Sequence, residues 1–194
     1  CGHRIFLWDI ANCSQLNVLT GHRNRIENTF FSPDSKQVVS CSDDGTVKIW
    51  DAATGKAVHT LTNHGSPVRS LAVSPDGKWL ASGGTDRKIR LWNLESGSLA
   101  GQVDFAQTVF FCGFAPDSKT LIYGTHLDPK IRAVSVPGCE VLDRFPDIAI
   151  PKRPPGAISF ILRGNTVLVR LRSSSAGPFE LYSWNHSEPL FSSE

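Results

Sequence analysis

The sequence predicts an all-β protein built from four-stranded antiparallel units repeated along the chain, and three observations predict it. Trp8-Asp9, Trp50-Asp51 and Trp92-Asn93 recur at a constant interval of 42 residues. Other short elements keep that register: Gly21-His22 is answered by Asn63-His64, Ser32-Pro33-Asp34 by Ser74-Pro75-Asp76, and Ser42-Asp43-Asp44-Gly45 by Gly84-Thr85-Asp86-Arg87. Between these markers lie short apolar or alternating runs bounded by Pro, Gly, Asp and Ser, which is the pattern of strands and tight turns and leaves no room for helices. A fixed period of roughly 40–45 residues is the length of one propeller blade, four strands meandering antiparallel.

The elements follow from this spacing. Strands at 4–8 and 16–19 form a half blade, about 1–19. A complete blade, about 20–62, has strands at 26–31, 37–41, 46–50 and 57–61, and a second, about 63–104, has them at 67–73, 79–82, 88–92 and 98–103. A third, about 105–144, is placed at 108–114, 120–123, 130–136 and 140–144, with Val134 at the tryptophan position. A looser fourth, about 145–194, is placed at 157–162, 166–172, 179–184 and 188–191, where Trp184-Asn185 restores the signature. A closed seven-bladed ring needs about 28 strands, so the chain is expected to be an incomplete piece of one, cut at its amino end. Blades bury apolar faces against each other, so open flanks are expected to be covered by missing blades or by another chain; an isolated piece should self-associate.

The recurring Gly-His, Ser-Pro-Asp, turn Asp and Trp-Asp elements resemble the WD-repeat β-propeller family, most closely over 21–93. The resemblance implies a hydrogen-bonded structural tetrad of Asp44, His22, Ser40 and Trp50 in one blade and of Asp86, His64, Ser82 and Trp92 in the next. The residue types suit this: indole N–H donates, a hydroxyl donates and accepts, and an imidazole needs a carboxylate to fix its tautomer. In the third blade Asp128 remains, but Gly124 is expected at the serine position, so that blade should rest on Val109, Phe111, Phe114, Leu121 and Ile131.

A Ser, a His and an Asp in one unit also fit a hydrolase. Against it, the set occurs twice at one interval, each time with Trp, and neither serine lies in a Gly-x-Ser-x-Gly elbow. No catalytic residues are assigned. Asp34, Asp76 and Asp117 are expected to form turns, since Pro presets φ and Asp bonds its own backbone. Gly83-Gly84 is expected at a strand end, not at a phosphate, because no helix follows.

Composition sets the outer limits. The chain has 194 residues, 40% hydrophobic and 20% charged, with a formal charge of +2, too small to indicate nucleic acid by itself. No apolar run reaches the roughly 20 residues of a membrane helix, and the first residues have no signal-peptide layout, so an intracellular setting, cytoplasmic or nuclear, is expected. Five cysteines without Cys-x-x-Cys spacing indicate neither a disulfide framework nor zinc, and buried free thiols are expected. No metal and no cofactor are assigned.

Partner contacts are expected on one face, where outer strands join the next blade and second strands join third. That face carries Arg23, Arg25, Arg69 and Arg87, which could converge into a basic rim for carboxylates or phosphorylated peptides, or be solvated charges paired with Asp43 or Glu27. The expanded stretch 145–156, with Lys152 and Arg153, falls there too. The expected function is a non-enzymatic scaffold presenting loops to a protein or peptide partner in a larger complex. The alternatives are a sensor propeller of a multidomain signalling ATPase, a ubiquitin-ligase substrate receptor, disfavoured because Trp50-Asp51 and Trp8-Asp9 lack the following Arg, and a nucleic-acid-binding module that would use the basic rim with Lys152 and Arg153.

Overall fold

The computed structural model of the chain describes residues 2–125, 130–142, 148–149, 158–163, 166–171, 179–183 and 189–192, with side chains over 2–125 and 132–142. Eighteen strands and no helix occur among the described residues. Strands β1 (Arg4–Asp9) and β2 (Ser14–Thr20) form a two-stranded hairpin. Four four-stranded antiparallel meanders follow. The first holds β3 (Ile26–Phe31), β4 (Gln37–Ser42), β5 (Val47–Asp51) and β6 (Ala57–Leu61); the second β7 (Val68–Val73), β8 (Trp79–Gly84), β9 (Lys88–Asn93) and β10 (Leu99–Asp104). The third holds β11 (Val109–Phe114), β12 (Thr120–Thr125), β13 (Lys130–Ser135) and β14 (Ile148–Ala149); the fourth β15 (Ile158–Arg163), β16 (Thr166–Leu171), β17 (Phe179–Ser183) and β18 (Pro189–Ser192). These are blades of the propeller type, and they do not close into a ring.

Alternation along the strands builds the layers. Val38 and Trp50 turn one way, onto Leu7 and Leu19 of the hairpin, while their neighbours Val39 and Ile49 turn the other way, onto Val68, Leu80 and Trp92 of the second blade. The second blade repeats the pattern, with Ala81, Ile89 and Leu91 facing Val109, Phe114, Leu121 and Val134 of the third. A period of two thus gives each central strand two buried faces. The first strands approach one another in series, β3 to β7 to β11 to β15. Gly83 belongs to this contact: a Cβ there would meet Ser70 Oγ and Val109 Cγ1, each at 2.6 Å. The hairpin leaves Phe31 of β3, and Phe6 and Trp8 on its own outer face, exposed.

The turns between first and second strands show why Ser-Pro-Asp recurs. In the first blade Ser32 Oγ donates to Asp34 and accepts from the Gln37 N–H, and Asp34 accepts from the Lys36 N–H. Ser74 and Asp76 repeat this with Trp79 and Lys78, and Asp117 accepts from the N–H groups of Lys119 and Thr120. The next position has positive φ, 72° at Gly77, 60° at Ser35 and 56° at Ser118, so only one of three uses the residue that adopts it freely.

Three expectations for the third blade are corrected. Of its expected outer strand at 140–144 the described residues 140–142 hold only an isolated bridge between Val134 and Val141, residues 143 and 144 lie outside the described residues, and β13 pairs with Ile148–Ala149. From the bridge an unbroken register would set position 144 opposite Ile131, whereas Ile148 pairs there, a shift of four positions. Phe111 is half-buried and outside the core cluster that takes in Val109, Phe114 and Leu121; the Ile131 side chain lies outside the described residues. Third, Gly124 is not at the serine position, as set out below. No helix among the described residues is long and apolar enough to cross a membrane.

Candidate functional site

Blade geometry brings the first predicted tetrad together. Ser40 on β4 lies opposite Lys48 on β5, two residues before Trp50, so indole and hydroxyl share a face. Trp50 Nε1 donates to Ser40 Oγ at 2.8 Å, Ser40 Oγ lies 2.8 Å from His22 Nε2, and His22 Nδ1 lies 2.8 Å from Asp44 Oδ2. One proton arrangement satisfies all of them: indole N–H to hydroxyl, hydroxyl O–H to Nε2, and Nδ1–H to carboxylate. Burial pushes the His22 pKa down, against the pull of Asp44, so the ring is neutral. Burial pushes Asp44 up, but bonds from Thr46, the Arg23 N–H and His22 outweigh it and hold the carboxyl at about 2.

The second tetrad has the same dimensions: Trp92 Nε1 to Ser82 Oγ 2.8 Å, Ser82 Oγ to His64 Nε2 2.7 Å, His64 Nδ1 to Asp86 Oδ2 3.0 Å. Burial again lowers the His64 pKa. A fifth member joins, for Arg90 Nη1 donates to Asp86 Oδ2 at 2.5 Å. Arg90 Nη1 also lies 2.8 Å from His64 Nδ1; with Nδ1 protonated toward Asp86 this is contact, not a second hydrogen bond. Ser40 and Ser82 are wholly inaccessible to solvent, and each oxygen is held by an indole N–H. Neither can reach a scissile carbonyl, so the resemblance to a Ser-His-Asp triad stops at connectivity.

In the third blade the strand register identifies the equivalents. Leu71 faces Ser82 and Cys112 faces Tyr123; Leu80 faces Trp92 and Leu121 faces Val134. Tyr123, not Gly124, holds the serine position, because this strand pair runs one residue short of the 42-residue period and regains it before Val134. By the same shortened count Phe105 stands where His64 does. The rings of Phe105 and Tyr123 pack with centroids 4.5 Å apart at 43°. The polar brace is replaced by an aromatic one, with Val134 in place of tryptophan. Asp128 and Trp184 lie outside the described residues.

The four arginines of the loop face do not form a free basic rim. Glu27 on β3 binds Arg69 Nη1 of β7 through one carboxylate oxygen and Arg25 Nη2, at 2.8 Å, through the other. Arg69 Nη1 also lies 3.1 Å from Asp43 Oδ1 as an ion pair without hydrogen-bond geometry, which leaves that oxygen without a bonded donor. Arg25 and Arg69 are therefore charge-balanced, whereas Arg23 and Arg87 are exposed and form no ion pair among the described residues. Arg87 has φ of 64° at the turn position that Gly45 holds, with φ of 80°, in the preceding blade. Lys152 and Arg153 lie outside the described residues.

Two stretches, 13–51 and 55–93, each match the family model for the WD domain, G-beta repeat. Residues 13–93 thus carry two WD repeats. No curated protein matches the chain at a significant level. WD repeats are generally protein-interaction scaffolds and generally non-catalytic. Among the described residues no cluster of three or more His, Cys, Asp or Glu could hold a metal. Cys41 and Cys112 are buried, with burial pushing both thiols up to about 12, but Cys13 is exposed in the β1–β2 turn, against the expectation of buried thiols. Sequence reasoning missed Arg90 and Tyr123. Arg90 follows Asp86 by four positions and precedes Trp92 by two, on the tryptophan's face, and that spacing was the available signal.

Proposed function

We propose that this chain is a non-enzymatic scaffold that presents its β2–β3 and β8–β9 loops to a protein or peptide partner in a larger assembly. The observation that carries the proposal is a contrast in access. The side chains whose chemistry could support catalysis, His22, Ser40, His64 and Ser82, are sealed inside blades, while Arg23, Arg25 and Arg87 stand exposed on adjacent loops of one face. Arg87 adds support. A left-handed backbone costs a non-glycine residue about 1–2 kcal/mol, so the fold alone would favour glycine there, as at Gly45. Neutralisation of Arg25 and Arg69 by Glu27 and Asp43 favours a protein partner over the uniform phosphate backbone of a nucleic acid.

The test is affinity capture with the chain and with two variants, Arg87→Gly and Arg25→Glu. A paired control, Lys36→Glu with Lys78→Glu, alters the turns at the opposite end of the blades. Partner recovery should fall for the first two and persist for the control, with Arg87→Gly melting no lower than the wild type. Equal recovery from all variants would refute the loop face as the contact surface. A partner lost only on nuclease treatment would refute its being a protein.

A further inference from the structure

A cavity of about 250 Å³ opens between the end of β2 and the outer half of the first blade, lined by Arg23, Lys48, Thr46, Thr60, Thr62 and the Asp44 carboxylate. At about 30 Å³ per water it holds roughly eight waters, and it falls below the roughly 300–1,000 Å³ of small-molecule sites. It fits one side-chain-sized group.

Its walls are rich in unspent donors. Lys48 Nζ is held in place by Thr60 Oγ1 at 2.8 Å and lies 5.7 Å from the Trp50 ring centroid, which leaves two of its three N–H groups to point elsewhere. Arg23 is pinned through its backbone N–H to Asp44 and has no ion-pair partner among the described residues. Thr60 and Thr62 add exposed hydroxyls from β6 and the residue just beyond it. The single carboxylate is already spent: Asp44 Oδ2 accepts from the Arg23 N–H and His22, and Oδ1 from the Thr46 N–H and hydroxyl. Two cations thus face the opening against one saturated anion.

The second blade supplies an internal comparison, because the same positions one period on are occupied differently. Gly65 replaces Arg23, Gln102 replaces Thr60, and Asp104 replaces Thr62. Lys88, in place of Thr46, is paired with Asp104, and Arg90, in place of Lys48, with Asp86. There every charge is answered from within; in the first blade the cations are left over.

We propose that the first-blade cavity is an oxyanion subsite that takes the phosphoryl group of a phosphorylated side chain. The proposal rests on the reading of the chain as a partner-binding scaffold and adds the chemistry of one group on that partner. Donors converge from the β2–β3 connection, from β5 and from β6, which suits a tetrahedral anion with three terminal oxygens better than a planar carboxylate with two.

The test is a titration of the 15N-labelled chain with O-phosphoserine, and separately with acetate at matched ionic strength, followed by amide NMR. Saturable shifts are expected at Gly21, Arg23, Thr60 and Thr62 but not at Gly65, Gln102 and Asp104. Affinity should weaken about tenfold in Lys48→Met and in Arg23→Ala, the loss of about one charge-assisted hydrogen bond, and be unchanged in Lys36→Ala. Non-saturating shifts, equal response in both blades, insensitivity to the two variants, or acetate binding as tightly as phosphoserine would overturn the assignment. Such a failure would remove the subsite and leave the scaffold reading standing, since that is judged by capture with Arg87→Gly and Arg25→Glu.

Discussion

Replacing Ser82 with alanine removes one oxygen and orphans two buried groups. Ser82 Oγ accepts from Trp92 Nε1 at 2.8 Å and lies 2.7 Å from His64 Nε2; the serine is fully buried, Trp92 is 2% exposed and His64 5%. An unsatisfied buried polar atom costs about 1–3 kcal/mol, so the two together cost about 2–6 kcal/mol. At the lower bound, and at about 2–4 °C per kcal/mol for a chain of this length, the melting temperature should fall by about 4–8 °C. Ser40→Ala should behave alike, because its distances are the same within 0.1 Å. Exposed Ser96→Ala should stay within about 0.5 kcal/mol of wild type. Thermal and urea denaturation supply the free energies, and a double-mutant cycle with Trp92→Phe supplies the coupling. Removing both ends of the Trp–Ser bond should cost less than the sum of the single changes by at least about 1 kcal/mol. A Ser82→Ala chain that melts with the wild type, or an additive cycle, would refute the brace.

Three further outcomes are expected. Tyr123→Ser, which installs the residue that the first two blades use, should destabilise the third by about 3–5 kcal/mol, because the ring packed on Phe105 is lost and no imidazole awaits the hydroxyl; calorimetry showing no change would contradict this. Gly83→Ala should cost about 1–3 kcal/mol in urea titrations, since its Cβ would press on Ser70 and Val109 at 2.6 Å; a stability equal to wild type would show that the blades can part there freely. Acid should weaken the fold in two windows. His22, beside Asp44 and Lys48, and His64, beside Asp86 and Arg90, bind protons less readily folded than unfolded, so stability falls as pH drops through the unfolded value of 6.5. The lowered carboxyls of Asp44 and Asp86 add stability above 3.8 that is lost as pH falls further, for Asp44 toward about 2. Denaturation midpoints that stay level from pH 7 to pH 5 would contradict the histidine window.

Legibility in the sequence followed locality. Trp50, Ser40, His22 and Asp44 could be placed because four strands of fixed length and tight turns put a 42-residue period into the chain itself, and the resemblance to WD repeats implied which positions of that period bond one another. The third blade defeated that counting: one residue fewer before β12 and one more before β13 cancel by Val134, so the tryptophan position was right while the serine position slipped from Tyr123 to Gly124. The hydrogen-bond register exposes both changes, and the sequence signals the first, because Pro116-Asp117 stands 41 and not 42 positions after Pro75-Asp76. Pairing with Glu27 or Asp43 was one of two readings open for the arginines, and the period could not choose it for Arg69, since the Arg69–Glu27 pair depends on first strands of two blades meeting side by side, a contact between sheets that no period within one sheet encodes. The turn at Arg87 was legible as a turn, but its positive φ was not, because Arg ordinarily avoids it.

Hydrogen exchange at the tryptophan indoles, read by NMR at neutral pH, tests most directly whether the tetrads brace the blades from within. Trp50 and Trp92 donate into sealed serines, while Trp8 is 59% exposed and serves as the open reference in the same chain. The Nε1–H signals of Trp50 and Trp92 should persist long after that of Trp8 has exchanged, with His22 and His64 neutral and protonated at Nδ1. Exchange of all three indoles at one rate, or imidazoles protonated at Nε2, would contradict it.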